Sequence, residues 1–172
     1  DIWGRKIHTV FFGGGTPSLF SPEGIDRILT GVRTLTQLLP GAEITLEANP
    51  DDVTAARAGA WRAAGVNRIS LGVQSFDPGV LTWMHRTYTA AQVSQAVATL
   101  RAAGFRDLSL DLIFGLPKAL ERDWPADLAQ ARALEPDHLS CYGLTLEDHT
   151  PLAHWQRRGE AVMVDEERYA DE

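Results

Sequence analysis

Cysteine is nearly absent. Cys141 stands alone, so the chain has neither the pair a disulfide needs nor the clustered thiolates of a metal site of its own. Long apolar runs are missing too. The existing ones are broken after a few residues by Gly, Arg or Asp, far short of the roughly 20 residues a membrane-spanning helix requires. The opening Asp1-Ile2-Trp3-Gly4-Arg5-Lys6 lacks the apolar stretch of a signal peptide. Together these absences predict a cytoplasmic protein. Basic clusters are the third shortage: 16 Lys and Arg face 23 Asp and Glu, for a net charge of −7. No segment gathers the cations that non-specific nucleic-acid binding needs. The histidines His8, His85, His138, His149 and His154 show no paired spacing with a nearby carboxylate, so no metal ligands are expected among them.

What is present suffices for one domain with a sizeable core: 172 residues, 44% hydrophobic and 23% charged. The chain does not open on Met, and Asp165-Glu166-Glu167-Arg168-Tyr169-Ala170-Asp171-Glu172 reads as a helix cut short. The expectation is a fragment of a larger protein.

Short β-branched and aliphatic runs alternate with longer helical patterns, the rhythm of repeated βα units on a parallel sheet. Five strands are predicted, at 9–12, 43–47, 68–73, 108–114 and 138–144. Ser21-Pro22-Glu23 supplies an N-cap, a first-turn proline and an acidic first turn for a helix expected to run to Leu39, where Pro40-Gly41 would stop it. Thr89-Ala90-Ala91-Gln92 reads as a capping box, Gly65 and Gly104 as helix-ending glycines, and Asp123 as a further N-cap. This rhythm fits both a (β/α) barrel and an open doubly wound sheet.

Strand parity separates the two, because alternate side chains of a strand point to opposite faces. Ile44 and Leu46 oppose Thr45 and Glu47. Ile69, Leu71 and Val73 oppose Ser70, Gly72 and Gln74. Leu108, Leu110, Leu112 and Phe114 oppose Ser109, Asp111 and Ile113. A doubly wound sheet is apolar on both faces, whereas these strands have one apolar face and one that is polar or small. A partial barrel with a polar mouth follows, with Glu47, Gln74 and Asp111 converging at the C-terminal end, where α/β barrels place their sites. One polar strand residue alone is as readily a hydrogen-bonded core group. Three at matching positions make a site.

Gly13-Gly14-Gly15-Thr16-Pro17-Ser18 follows the first strand directly, and glycines let backbone N–H and C=O groups approach a ligand closely. A phosphate cradle at the next helix N-terminus would use the same composition. The loop lacks both the Lys-Ser/Thr ending of a P-loop and the spacing of a dinucleotide fingerprint.

The blocks Val10 to Ser18, Leu46-Glu47-Ala48-Asn49-Pro50, Gly65 to Phe76 and Asp111-Leu112-Ile113-Phe114-Gly115-Leu116-Pro117 resemble, in order and spacing, the radical S-adenosylmethionine (SAM) enzymes of the coproporphyrinogen-dehydrogenase-like family. That family holds anaerobic coproporphyrinogen III oxidase and the heme chaperones. Ser70 to Phe76 and Tyr142 to Leu152 are more similar to the chaperone branch. The resemblance implies an α/β fold, a partial (β/α) barrel of the radical SAM type with parallel strands, outer helices and about five βα units. It implies a SAM site across the barrel mouth at Gly14, Gly15, Thr16, Glu47, Gln74, Arg86 and Asp111, with Thr145 a weaker member. It also implies heme or porphyrin as a second small molecule and an acceptor hemoprotein as partner.

Two departures stand out. The family's three-cysteine motif, which ligates a [4Fe–4S] cluster through thiolates, is not in this sequence, so the cluster is expected only in the intact protein and this chain alone is expected to be inactive. Tyr88 stands where the chaperone branch often has histidine. The competing functions are the oxidase, which removes propionate carboxylates by radical chemistry, and a phosphate-binding α/β barrel. A barrel portion also exposes sheet edges, so self-association is expected.

Overall fold

The computed structural model describes residues 4–159 and 161–172. Its strands are β1 (Lys6–Phe12), β2 (Gln37–Ala48), β3 (Arg68–Gln74), β4 (Asp107–Phe114) and β5 (His138–Gly143). All neighbouring pairs are parallel and the strands lie side by side in chain order, leaving β1 and β5 as edges. The sheet curls into a half-barrel with helices on its convex side. These are α1 (Pro22–Leu35), α2 (Ala55–Ala64), α3 (Pro78–Trp83), α4 (Ala90–Ala102), α5 (Trp124–Ala133), α6 (Pro151–Arg157) and α7 (Glu166–Asp171). Among the described residues no helix is long and apolar enough to cross a membrane.

Local chemistry sets the helix ends. Ser21 Oγ accepts from Gly24 N at 3.1 Å and Asp123 from Ala126 N at 3.0 Å. Thr89 and Gln92 form the reciprocal capping box, with Thr89 N donating to Gln92 Oε1 at 2.9 Å and Gln92 N to Thr89 Oγ1 at 3.3 Å. Gly65 ends α2 at φ +110°, a left-handed conformation that favours glycine.

One expectation is corrected. The first helix stops at Leu35, not Leu39, where Thr36 N and Oγ1 both donate to Val32 O. Gln37 and Leu38 then pair with Lys6 and Ile7, which places Pro40-Gly41 inside β2, at the register shift between Ile7 and Thr9. Gly41 takes φ +77°. A proline cannot donate to a ladder and is tolerated in strands at such irregularities. The short helices α3 and α6 were not among the expected elements.

The core lies between the convex face and the helices. Ile44, Leu46, Ile69, Leu71, Val73, Leu108, Leu110 and Leu112 are all at most 5% exposed, and they share a cluster with Ile25, Leu29, Trp61, Val93 and Leu100. Each such side chain contributes about 1.5–3 kcal/mol relative to exposure. Next to this core, Asp127 accepts from Ser75 Oγ at 2.6 Å and from Phe76 N at 2.8 Å. The Arg122 guanidinium bridges Asp127, at 3.5 Å, to Glu172, at 2.9 Å. Arg122 also donates to Ile113 O at 3.3 Å, while its Nε is buried without a hydrogen-bond partner among the described residues. The ion pair anchors the segment leaving β3.

Candidate functional site

Strand parity brings the chemistry together at the C-terminal ends of the strands. Asp111, on the concave face of β4, accepts from Ser70 Oγ at 2.7 and 3.0 Å through its two oxygens, and from Ser109 Oγ at 3.2 Å. Ser70 comes from β3, so two strands fix one carboxylate. Ser109 in turn lies 3.2 Å from Ser140 of β5. Glu47, near the end of β2, accepts from Gly14 N at 3.0 Å. That bond ties the glycine loop to the next strand, with Gly14 and Gly15 at φ +84° and +62°, the region open to glycine.

The end of β3 is irregular. Its register against β4 slips between Gly72 and Gln74, and Gln74 takes φ +66°, an uncommon conformation for a residue with a side chain. Gly72 leaves room for this: a Cβ there would lie 2.8 Å from Gln74 Nε2 and 3.3 Å from Asn49 Oδ1. Tyr88 closes the arrangement from behind, its hydroxyl donating to Gly72 O at 2.7 Å and reaching Val73 O at 3.3 Å. Burial pushes the Tyr88 phenol up to about 12, with Arg86 lowering it and Asp51 raising it by smaller amounts.

These groups surround an open cavity of about 270 Å³, several times the roughly 30 Å³ that one water takes. Gly15, Thr16, Glu47, Gln74, Arg86 and Asp111 all line it, and Gly14 borders it through its bond to Glu47. Arg86 Nε is buried and has no hydrogen-bond partner among the described residues. Such an orphaned donor costs about 1–3 kcal/mol or more.

Thr145, expected in this pocket, lies two residues past the end of β5, is exposed and does not line the cavity. The chain leaves the sheet at Gly143, so its side chain no longer follows strand parity. Asn49, Ser70 and Tyr142 do line the cavity and were not among the expected binding residues. Parity carried onto β5 finds Tyr142, which shares a face with Ser140, the partner of Asp111 in the ladder.

The donor set comprises two carboxylates, an amide, a guanidinium and the polar backbone of a glycine loop. It suits a ligand with hydroxyls, a carboxylate and a positive charge.

Comparison with known proteins agrees with this architecture. The radical SAM superfamily profile matches residues 2–131. The heme chaperone HemW of Escherichia coli (strain K12) is 44% identical over 147 residues, 86% of this chain and 39% of that protein. The heme chaperone HemW of Haemophilus influenzae is 42% identical over 154 residues, 90% of this chain and 40% of its own length. The chain thus spans about 40% of the length of these curated relatives. The solved structure of coproporphyrinogen III oxidase from Escherichia coli superposes with a TM-score of 0.81 at 27% identity, covering 98% of this chain and 39% of that one. Methylornithine synthase, at 16% identity and a TM-score of 0.67, covers 84% of this chain and 41% of its own and shares the fold. With residues 2–131 inside the profile, this chain belongs to the radical SAM superfamily.

Proposed function

We propose that the chain forms the SAM-binding core of a radical SAM heme chaperone, a protein that carries heme to an acceptor hemoprotein. The observation that carries this is the meeting of Glu47, Gln74, Arg86 and Asp111 around one cavity beside the glycine loop. Membership of the superfamily implies SAM and a [4Fe–4S] cluster as cofactors.

The residues present fit SAM. The Arg86 guanidinium, on a residue that lines the cavity, meets the need of the ligand's carboxylate for a planar, charged donor. Glu47 and Asp111 offer acceptors to hydroxyl or ammonium groups and balance the sulfonium charge. Gln74 contributes an amide that both donates and accepts. Asp111 is oriented beforehand by Ser70 and Ser109, so little ordering remains to be done on binding. When bound, the cluster supplies the electron for reductive cleavage of SAM. Its thiolate ligands come from outside this sequence, since a lone Cys141 does not replace three.

The chaperone is favoured over the oxidase by relatedness: 38–44% identity to heme chaperones against 27% to the oxidase. Calorimetry with SAM on the full-length protein, followed by assays of heme transfer to an apo-hemoprotein and of carbon dioxide release from coproporphyrinogen III, tests the proposal. Saturable SAM binding with heme transfer and no decarboxylation is expected. A folded full-length protein that binds no SAM overturns the site, and decarboxylation overturns the chaperone assignment.

A further inference from the structure

We propose that Tyr88 is a positioning residue that holds Gln74 in the cavity by way of the Gly72 and Val73 carbonyls. Its consequence for a ligand rests on the SAM-binding function above.

The β3 strand loses regular pairing just where Gln74 turns into the cavity. The register slips between Gly72 and Gln74, and Ser75 N donates to Val73 O at 2.8 Å, a tight turn centred on Gln74 at φ +66°. A glutamine gains nothing intrinsic from that conformation, so surrounding bonds must over-determine it. On the far side they do: Ser75 Oγ and Phe76 N are both held by the buried Asp127. On the near side the tie is the Tyr88 hydroxyl, donating to Gly72 O at 2.7 Å and lying 3.3 Å from Val73 O. The Gln74 side chain itself makes no hydrogen bond to a described residue, and its amide lies over Gly72. Its direction is therefore set by the backbone beneath it.

The hydroxyl suits this task. Tyr88 is 3% exposed, and burial keeps its phenol protonated up to about pH 12. It keeps its single proton for Gly72 O, with Val73 O at longer range, and a phenolate would repel both carbonyls. Tyr88 also lies two residues beyond Arg86, which lines the same cavity. One hydroxyl thus ties the segment carrying the guanidinium to the strand carrying the amide.

The test uses the full-length protein and four forms: wild type, Tyr88→Phe, Gln74→Ala and the double variant. If Tyr88 acts through Gln74, each single change weakens SAM binding about tenfold and the double change is no worse than Gln74→Ala alone. Losses that multiply, to about a hundredfold, overturn the proposal, because independent effects combine in that way. A ligand-free crystal structure of Tyr88→Phe separates this from the SAM assignment. Gln74 is expected to leave the φ +66° conformation; if it stays in place, positioning by Tyr88 is refuted whether or not SAM binds. A displaced Gln74 in the variant, with no SAM binding by wild type, supports the positioning and refutes the SAM site instead.

Discussion

Ile69, Leu71 and Val73 are wholly buried, while Ser70, Gly72 and Gln74, drawn from the same seven residues, face a cavity. The convex face of the sheet is aliphatic and sealed by helices; the concave face holds hydroxyls, an amide and carboxylates beside Ala48, Ile113 and Tyr142. The difference teaches that one strand supplies stability and ligand handling through alternate residues. Substitutions one position apart should therefore have effects of different kinds.

The sharpest break comes on the convex side. Leu110→Ala removes a side chain that is 1% exposed and should cost about 2–5 kcal/mol of stability through lost transfer energy and the cavity left behind. Denaturant titration measures it, and SAM affinity of the folded fraction should stay near wild type. The neighbouring Asp111→Ala should do the reverse, weakening SAM binding by about 1.5–3 kcal/mol, the range for hydrogen bonds to a charged group, with a smaller change in denaturation midpoint. If Leu110→Ala abolishes binding in the folded state, or Asp111→Ala leaves calorimetric affinity untouched, the division between the faces fails.

The smallest effect lies at the opposite end of β4. Asp137 accepts from Leu108 N at 2.9 Å and pairs with Arg101 at 3.0 Å. The Leu108 amide holds its carboxyl below the usual carboxylate value, with desolvation opposing it and Arg101 adding to the lowering. A carboxylate depressed in the folded state adds stability above its unfolded pKa, about 4, and loses it as pH falls through the folded value. Acid titration of wild type should be steeper below about pH 4 than that of Asp137→Asn. Its exposure keeps the difference small.

Much of this was legible in the sequence because it depends on local rules. Parity placed Glu47, Gln74 and Asp111 on one face, and the caps at Ser21, Thr89 and Asp123 needed only neighbours a few residues away. The early end of α1 was not legible. It depends on Gln37 and Leu38 finding Lys6 and Ile7, a pairing some thirty residues distant, and Pro40-Gly41 gives the same signal at a helix stop as at an irregular strand. Asn49 reaches the cavity from beyond the end of β2, where parity no longer applies. The Tyr88 bonds to Gly72 and Val73 exist only once β3 and the segment beyond Arg86 have packed together, so they depend on tertiary geometry that no spacing encodes.

Because the strands lie in the sheet in the order in which they occur in the chain, the molecule is a row of βα units in which each leans mainly on the next, as in a linear array. β3 lies at the centre of the sheet, flanked by two strands on each side. Gly72 and Gln74 belong to that strand, so the part of the cavity with the most irregular backbone sits on the strand farthest from either open edge.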